Sequence, residues 1–217
     1  MLMVNQLNGF GVGRRPFLTY IGSTYSPDDA TTITFTGAGI GSVASDRYVA
    51  VSAVGFNLSS TCQPTTLTVG GQATTRLVVS SAIPGAGAGI FVTDAPVQSG
   101  TTANIAVTFS SVSDEAYIDV YTITRARPFL ADTLALRGTS LSGGLDVYGG
   151  SCAIGIAGFD NTGSYSWTGL TEDFEYTDYV VSASQNFSAS EINRTVSASI
   201  TGGSTGAGDF LLAASFY

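Results

Sequence analysis

The sequence predicts an all-β protein, and three observations carry that prediction. Short runs of β-branched and aromatic residues alternate with polar residues, as in 31–36, where Ile33 and Phe35 share one face. Glycine-rich turns separate the runs at intervals of about 8–12 residues, the spacing of a sandwich or barrel. No long window combines a 3.6-residue period with helix caps. We therefore expect a single jelly-roll-like antiparallel β-sandwich over residues 16–217, preceded by a short extended N-terminal arm at residues 1–15.

The predicted strands follow one another to the end of the chain. They cover 17–25, 31–36, 48–58, 65–69, 76–80, 89–93, 104–110, 116–125, 134–136, 150–158, 165–168, 176–185, 194–200 and 210–216. Alternation within 116–123 places Ile118 and Val120 on one face of the strand. Tyr117, Asp119 and Tyr121 then fall on the opposite face.

Turn residues support the strand boundaries. Gly70 and Gly71 predict a two-residue hairpin, because both central positions of such a turn can require positive φ. Pro27 suits the second position of a type I turn. The glycine-rich stretches 83–89, 141–144 and 201–208 are predicted to be loops.

An internal echo links two parts of the chain. Residues 34–36 followed by 45–51 resemble 108–110 followed by 113–120, since each pairs a Thr-Phe-hydroxyl ending with a Ser-Asp turn and a Tyr-led strand. The echo is too short for a solenoid repeat. We expect it to mark equivalent hairpins of a two-sheet sandwich.

The arm differs in composition from the rest of the chain. Its glycines make it costly to order without contacts, so we expect it to dock on a neighbouring subunit or another protein. Leu7, Phe10 and Val12 would bury apolar area there, while Arg14 and Arg15 would meet acidic surface. A frayed terminus is the alternative. A phosphate-binding loop is excluded by context, because no strand precedes the glycines and no helix follows them.

Composition argues against most enzymes. The chain has no His and no Lys, so the commonest general base and the Schiff-base and Lys-phosphate chemistries are missing. We therefore expect no catalytic residue and no cofactor. A formal net charge of −8 with eight basic residues among 217 also argues against a nucleic-acid partner, because binding nucleic acid requires a positive surface.

Cys62 and Cys152 cannot form a zinc site in a chain without His, so no metal centre is expected. Whether the two thiols meet is open, and we expect both to be reduced and buried. The first residues do not resemble a signal peptide, and no apolar stretch is long enough for a membrane span. The sequence thus predicts synthesis in a cytoplasm and no membrane insertion.

One acidic cluster is dense enough to need explaining. It contains Glu172, Asp173, Glu175 and Asp178. Its spacing differs from that of a calcium loop. We expect the edge of a hairpin, where solvated carboxylates discourage pairing with the edge of another sheet. A Ca²⁺ site and a glycosidase carboxylate pair are the alternatives.

Tyr165 and Trp167 form the candidate glycan contact, because aromatic rings beside hydroxyls stack on sugar faces. The alternative is that strand alternation buries Trp167 as a core residue. The sequence leaves both open.

The strand and turn motifs resemble β-sandwich modules of tailed-phage, prophage and bacterial surface proteins. The residues that carry the resemblance are Thr34-Phe-Thr36, Ser45-Asp-Arg-Tyr-Val-Ala-Val51, Thr66-Leu-Thr-Val-Gly-Gly-Gln-Ala73, Asn104-Ile-Ala-Val-Thr-Phe-Ser110, Trp167-Thr-Gly-Leu-Thr-Glu-Asp173 and Ala213-Ala-Ser-Phe216. The resemblance covers residues 17–217, and the opening 5–11 is similar to the N-terminus of small virion proteins. It supports the fold more than the function and carries no catalytic motif.

The resemblance implies a non-enzymatic structural component of a bacteriophage virion, either a capsid decoration or spike or a tail-fibre or receptor-binding part. Expected partners are other virion proteins and copies of the chain, with host-surface glycan as a further partner. The expected location is the virion. Two alternatives are a carbohydrate-binding adhesion module and a polysaccharide-active enzyme using Asp or Glu. Capsid or tail position, copy number and receptor are not indicated.

Overall fold

The all-β, antiparallel sandwich architecture is confirmed. The computed structural model describes residues 14–81, 84–125, 127–159, 163–176, 179–203 and 205–217, and these residues form sixteen strands and no helix. All strand pairs among them are antiparallel. Residues 1–13, the greater part of the predicted arm, lie outside the described residues.

Eight strands make up the first half of the chain. They are β1 (Phe17–Ser26), β2 (Ala30–Gly39), β3 (Tyr48–Thr61), β4 (Pro64–Val69), β5 (Gln72–Val79), β6 (Pro84–Thr93), β7 (Thr102–Ser113) and β8 (Glu115–Thr124). Their hydrogen-bonded order is β1-β8-β3-β6-β5-β4-β7-β2. Only Val69–Gln72 and Thr68–Ala73 pair β4 with β5, at the hairpin where Gly70 and Gly71 have φ of 59° and 80°. The sheet folds over there, so β1-β8-β3-β6-β5 and β4-β7-β2 form two facing layers, the strand order of a jelly roll.

Eight further strands make up the second half. They are β9 (Leu130–Arg137), β10 (Ser142–Val147), β11 (Cys152–Gly158), β12 (Ser164–Thr168), β13 (Thr171–Tyr176), β14 (Val180–Asn186), β15 (Glu191–Thr201) and β16 (Phe210–Phe216). They form a five-stranded sheet, β13-β14-β11-β16-β9, and a three-stranded sheet, β10-β15-β12.

The strand order of the first half recurs in the second. Adding eight to each strand number converts β1-β8-β3-β6-β5 into β9-β16-β11-β14-β13 and β4-β7-β2 into β12-β15-β10, which are the observed orders. The predicted jelly-roll topology therefore occurs twice in tandem within residues 16–217. The two predicted echo segments lie on β2–β3 and β7–β8, which pair with each other inside the first half.

The four layers enclose three hydrophobic cores. The first outer core lies between the two layers of the first half, and the second outer core lies between the two sheets of the second half. The central core lies between the two five-stranded sheets and contains residues of both halves, including Tyr121, Ile90, Phe210 and Phe216. The two jelly rolls are thus joined face to face by a continuous apolar layer.

Polar contacts also join the halves. The Asn186 side chain accepts a hydrogen bond from the Leu18 amide at 2.9 Å and donates one to the Leu18 carbonyl at 3.0 Å. Arg137 of β9 donates to the carbonyls of Ser81 and Ala86 at 2.9 and 3.3 Å. These bonds occur at opposite ends of the strands, so they fix the register between the two sheets.

Two stretches predicted as loops are strands. The stretch 83–89 overlaps β6, and Gly143 and Gly144 belong to β10. At Gly87 a Cβ atom would overlap the Cys62 carbonyl, so only glycine permits this approach of two backbones. Ala86 and Ala88 meanwhile face the central core. Glycines in a strand that are needed because a neighbouring backbone approaches closely therefore resemble loop glycines in the sequence.

Arg47 is a buried charge that organises loops at one end of the first half. It is 0% exposed and donates to five backbone carbonyls, those of Gly41, Ser42, Val97, Ser99 and Gly100, at 2.7–3.0 Å. Burial lowers the pKa of its guanidinium. The carbonyls of two loops thus depend on one side chain for their hydrogen bonds.

We expect Arg47→Met to lower the free energy of unfolding by about 3 kcal/mol or more, because it removes a buried guanidinium that donates to five loop carbonyls. Urea unfolding measures the change. Arg76→Met is the control, since Arg76 is exposed and makes one bond of 3.3 Å. Equal effects of the two substitutions would contradict the structural role of Arg47.

Candidate functional site

A group of polar side chains interrupts the central core, and Asp119 of β8 lies in its middle. Asp119 is 4% exposed and faces the second half. It accepts hydrogen bonds from the hydroxyls of Ser23 on β1 and Ser52 on β3, the latter at 3.0 Å. Tyr20 shares a 2.8 Å hydrogen bond with Ser23. Three neighbouring strands therefore position the carboxylate.

The second half contributes a second carboxylate to the same core. Asp173 lies at a β-bulge of β13, between Glu172 and Phe174. Burial raises the pKa of Asp173, and the hydroxyls of Ser184 and Tyr121 lower it. The Tyr121 hydroxyl is close enough for that effect but makes no hydrogen bond of normal geometry with any described residue.

A cavity of about 10 Å³ lies beside Asp119, which is room for about one water molecule. Ser23, Asp119 and Ser182 line its polar side. The Ser182 hydroxyl is buried and has no hydrogen-bond partner among the described residues. The ring of Tyr176 closes the apolar side. This space is too small for an organic substrate, and its chemistry is that of a buried acid.

Burial raises the pKa of Asp119 from 3.8 to about 6. The hydroxyls of Ser23, Ser52 and Ser182 lower it, and the Asp173 carboxylate raises it. Because the folded state holds its proton more tightly than the unfolded state, the carboxyl favours folding at low pH. That contribution is lost as the pH rises from about 4 through 6.

At one end of the central core an aromatic group reaches the surface. Tyr25, Tyr117 and Tyr176 lie against one another with ring centroids 4.2–5.2 Å apart. Glu115 accepts hydrogen bonds from Tyr25 and Tyr117, both at 3.1 Å. Phe174 extends the group and is 37% exposed. We call these five residues the tyrosine group.

At the opposite end a second aromatic group surrounds the connection between the halves. Phe129 and Tyr217 exchange backbone hydrogen bonds of 3.2 and 3.0 Å, and their rings lie 6.2 Å apart. The Tyr148 ring lies 5.7 Å from that of Tyr217. Together with Leu130 these residues are 40–54% exposed. We call Phe129, Leu130, Tyr148 and Tyr217 the linker patch.

Two open grooves border the linker patch. One, of about 430 Å³, is lined by Tyr48, Leu77 and Asp94 of the first half and by Arg127 and Leu130. The other, of about 350 Å³, lies against Leu130, Tyr148 and Tyr217. Leu130 belongs to both, so the grooves meet. The larger groove has a mainly apolar lining that also includes Asp94 and Arg127, so it could receive a protein segment with mixed side chains.

The predicted partner-contact residues divide between described and undescribed parts of the chain. Leu7, Phe10 and Val12 lie outside the described residues. Arg14 and Arg15 are exposed. The side chain of Arg15 occupies the space where a Cβ of Gly150 would stand, in the turn next to Tyr148. The predicted arm therefore joins the fold beside the linker patch.

The predicted glycan-contact residues lie in the second half. Tyr165 is 8% exposed and stacks on Phe159 at 4.7 Å in the second outer core. Trp167 packs against the same core, and its buried Nε1 has no hydrogen-bond partner among the described residues. Glycan contact at these rings stays a prediction. The tyrosine group presents more exposed ring surface.

The acidic cluster lies on β13, an edge strand, as the hairpin-edge interpretation requires. Glu172 and Glu175 are exposed, whereas Asp173 is partly buried. Asp178 lies outside the described residues. Within the described part of the chain no three acidic or cysteine side chains are grouped to hold a metal ion.

The two cysteines lie in different layers. Cys62 belongs to the first outer core and Cys152 to the central core, and both are free and buried. Burial raises the pKa of both thiols, that of Cys152 to about 12. They do not meet.

Sequence reasoning missed the role of Asp119 and both aromatic groups. The alternation of β8 already placed Asp119 on one face with Tyr117 and Tyr121. All three face the central core, while Ile118 and Val120 face the first outer core. A carboxylate within a strand that is apolar on both faces is the signal that could have identified the site.

No known protein family, curated protein or solved structure matches the chain. In the described residues there is no helix of sufficient length and apolarity to cross a membrane.

We expect Asp119→Asn to change the pH dependence of stability. The free energy of unfolding of the variant relative to the wild type should rise by about 2.5 kcal/mol between pH 4 and pH 8, because the variant never carries the buried charge. Urea unfolding at several pH values measures it. The control is Asp28→Asn, an exposed carboxylate. A difference that does not vary with pH would show that Asp119 titrates as an ordinary surface acid.

Proposed function

We propose that the protein is a non-enzymatic structural component of a bacteriophage virion, as a capsid decoration or spike or as a tail-fibre or receptor-binding part. The observation that carries the proposal is the linker patch. Large contiguous apolar patches, of more than a few hundred Å², are rare on monomeric proteins. Here three aromatic rings and a leucine that are 40–54% exposed lie together beside two open grooves. Such a surface suits attachment to another protein of an assembly.

The fold and the motifs add support. Jelly rolls are common in viral capsid proteins and in lectins, although a fold by itself does not assign a function. The motifs that resemble phage β-sandwich modules lie on β2, β3, β7 and β16, on the β4–β5 hairpin and on the strands around Trp167. Arg15, at the end of the predicted arm, lies beside the linker patch, so arm and patch would contact the same partner.

A second candidate function, carbohydrate binding, is favoured by the tyrosine group. Tyr25 and Phe174 are 36% and 37% exposed, and the Glu115 carboxylate lies beside them. Aromatic faces next to a hydrogen-bonding carboxylate match the chemistry of a pyranose ring. A receptor-binding part of a virion would combine both functions.

Incorporation into particles tests the first proposal. We expect mass spectrometry to find the chain in purified particles, and Phe129→Asp to reduce its copy number about 30-fold, since a buried aromatic anchor contributes about 2 kcal/mol. The control is Val112→Asp, an equally apolar residue that is 42% exposed on β7. Absence of the wild-type chain from particles would refute the virion proposal, and equal incorporation of both variants would refute the role of the linker patch.

Glycan binding tests the second candidate. We expect Phe174→Ala to weaken binding to a host-surface polysaccharide about tenfold, because it removes one stacking ring. Tyr148→Ala removes an exposed ring at the opposite end and is the control. If the wild-type protein binds no glycan on an array, the candidate fails.

A further inference from the structure

The edge strand β13 lies over the buried carboxylate of Asp119. The rings of Phe174 and Tyr176, both on β13, line the small cavity beside Asp119. Phe174 is also 37% exposed, so its ring contacts the cavity and the solvent at once. These two side chains therefore separate the cavity from water on this side of the molecule.

The strand β13 has few of the contacts that hold a strand in place. Among the described strands it pairs with β14 alone, and none of its six residues is buried. A β-bulge between Glu172 and Phe174 interrupts the pairing with β14. Segments with little buried area and few neighbours open locally while the rest of a fold stays closed. By contrast, β11 lies two strands away in the same sheet and has all seven of its residues buried.

The bulge directs a second acid into the joint between the halves. The extra residue of a bulge re-aims its side chain, and here that residue is Asp173, whose Oδ2 atom is buried. No described residue gives this oxygen a hydrogen bond, and the buried hydroxyls of Tyr121 and Ser182 have no described partner either. Ser182 is close enough to Asp119 to lower the pKa of its carboxyl. Tyr121 has the same effect on Asp173. We call Asp119 and Asp173, one from each half, the acid pair.

No positive charge on the surrounding strands compensates the acid pair. These strands, β1, β3, β8, β11, β13 and β14, contain no arginine, and the chain has no Lys and no His. The titratable groups that face the central core from them are Tyr20, Tyr48, Tyr117, Tyr121, Cys152 and Tyr176. Tyr25 and Glu115 lie in the tyrosine group, and Glu172 and Glu175 are exposed. Tyrosine and cysteine are neutral below about pH 8. Ionisation of both acids therefore places two negative charges in a buried site without a positive partner.

We propose that β13 is a pH-operated flap, which is closed while the acid pair holds a proton and opens when both carboxyls are ionised. A proton on either acid removes the repulsion between them, and the protonated oxygen can donate a hydrogen bond to a neighbour. Once both acids are ionised, lifting of β13 admits water to them and relieves the cost of burying two like charges. The cavity behind Phe174 and Tyr176 is where that water enters.

The direction of the switch follows from the pKa values of the two acids in the closed state. Burial raises the pKa of Asp119 to about 6 and also raises that of Asp173. In the open state water solvates both carboxyls, so their pKa values return toward that of a free aspartate. The closed state therefore holds its protons more tightly and is favoured at low pH. That preference is lost as the pH rises from about 4 through 6.

Opening of the flap also takes the tyrosine group apart. Phe174 and Tyr176 belong to β13, whereas the other members belong to the first half. The ring centroid of Tyr176 lies 5.2 Å from that of Tyr25 and 4.2 Å from that of Tyr117, and both contacts are lost when β13 lifts. The exposed ring surface is thus complete only in the closed state. The flap is a property of the isolated chain, so failure of either proposed function leaves it unaffected.

Hydrogen–deuterium exchange of the full chain, followed by mass spectrometry, tests the flap. After correction for the intrinsic pH dependence of amide exchange, we expect the protection of β13 to fall about tenfold or more between pH 5 and pH 8, the factor that Asp119 alone contributes. β11 and β16 should remain protected at pH 8, because the opening is local. Protection of β13 that is independent of pH would overturn the proposal. Simultaneous exchange of β13, β11 and β16 would also overturn it, since the whole joint would then unfold.

Substitutions in the acid pair make the test specific. Asp119→Asn and Asp173→Asn should each reduce the pH dependence of β13 protection, because asparagine has nearly the shape of aspartate and carries no charge. The double variant should abolish that dependence and keep β13 protected at pH 8. Asp29→Asn alters an exposed carboxylate in the turn between β1 and β2 and is the matched control, for which we expect the wild-type pH dependence.

The variants also show whether the two acids act together. An Asp173→Asn variant whose β13 responds to pH as the wild type does would show that Asp119 acts alone, and would overturn the flap. A folded double variant that still loses β13 protection between pH 5 and pH 8 would overturn it as well. Far-UV circular dichroism at pH 5 checks the folding of each variant, and the wild-type profile decides the proposal even if a variant does not fold.

Discussion

The contact between the two five-stranded sheets is the constraint on which the rest of the structure depends. Each of these sheets already has one face buried within its own jelly roll, and its other face is equally apolar: all seven residues of β11 and of β16 are buried. Neither half could expose that second face to water, because apolar area costs about 25 cal/mol per Å². The halves therefore stabilise each other as the two subunits of an obligate dimer do.

Strands buried on both faces also explain the continuous apolar runs in an antiparallel protein, a pattern more typical of parallel sheets.

Polar groups in that contact make the pairing of the halves specific. An apolar layer alone would tolerate sliding of one sheet over the other. Asp119, which Ser23 and Ser52 of its own half hold by hydrogen bonds, lies instead against a small cavity that Ser182 of the other half lines. The Asn186 contact with the Leu18 backbone adds a second point of registration at the other end of the strands. A buried carboxylate without a basic neighbour lowers stability at neutral pH, so this specificity has an energetic cost. The same arrangement couples the joint between the halves to pH.

Much of the fold could be predicted from local chemistry, and the failures have physical causes. The strands β2 and β8 could be predicted because their residues alternate between two faces. The hairpin at Gly70–Gly71 could be predicted because its two glycines are neighbours in the sequence. The first half of β10 and most of β6 were expected to be loops. The glycines there, Gly87, Gly143 and Gly144, admit a neighbouring chain or side chain, a reason visible only in three dimensions. The recurrence of the strand order was also invisible. The echo in the sequence marks β2 and β7, which pair with each other, while the true counterpart of β2 is β10.

The linker patch and the tyrosine group could not be predicted from the sequence for a different reason. Each is assembled from several segments that are far apart along the chain. Phe129, Tyr148 and Tyr217 come from the connection between the halves, from the turn after β10 and from the end of β16. Tyr25, Tyr117 and Tyr176 likewise come from β1, β8 and β13. Strand ends and loops of a jelly roll gather at two ends of the sandwich, so residues far apart in sequence become neighbours there. Spacing rules find motifs within one element, but here the topology creates the site. The predicted glycan residues, Tyr165 and Trp167, show the converse. They lie two residues apart on one strand, so they share the face that packs against the second outer core. In such a fold an aromatic residue near a strand end is therefore a better candidate for binding than one in the middle of a strand.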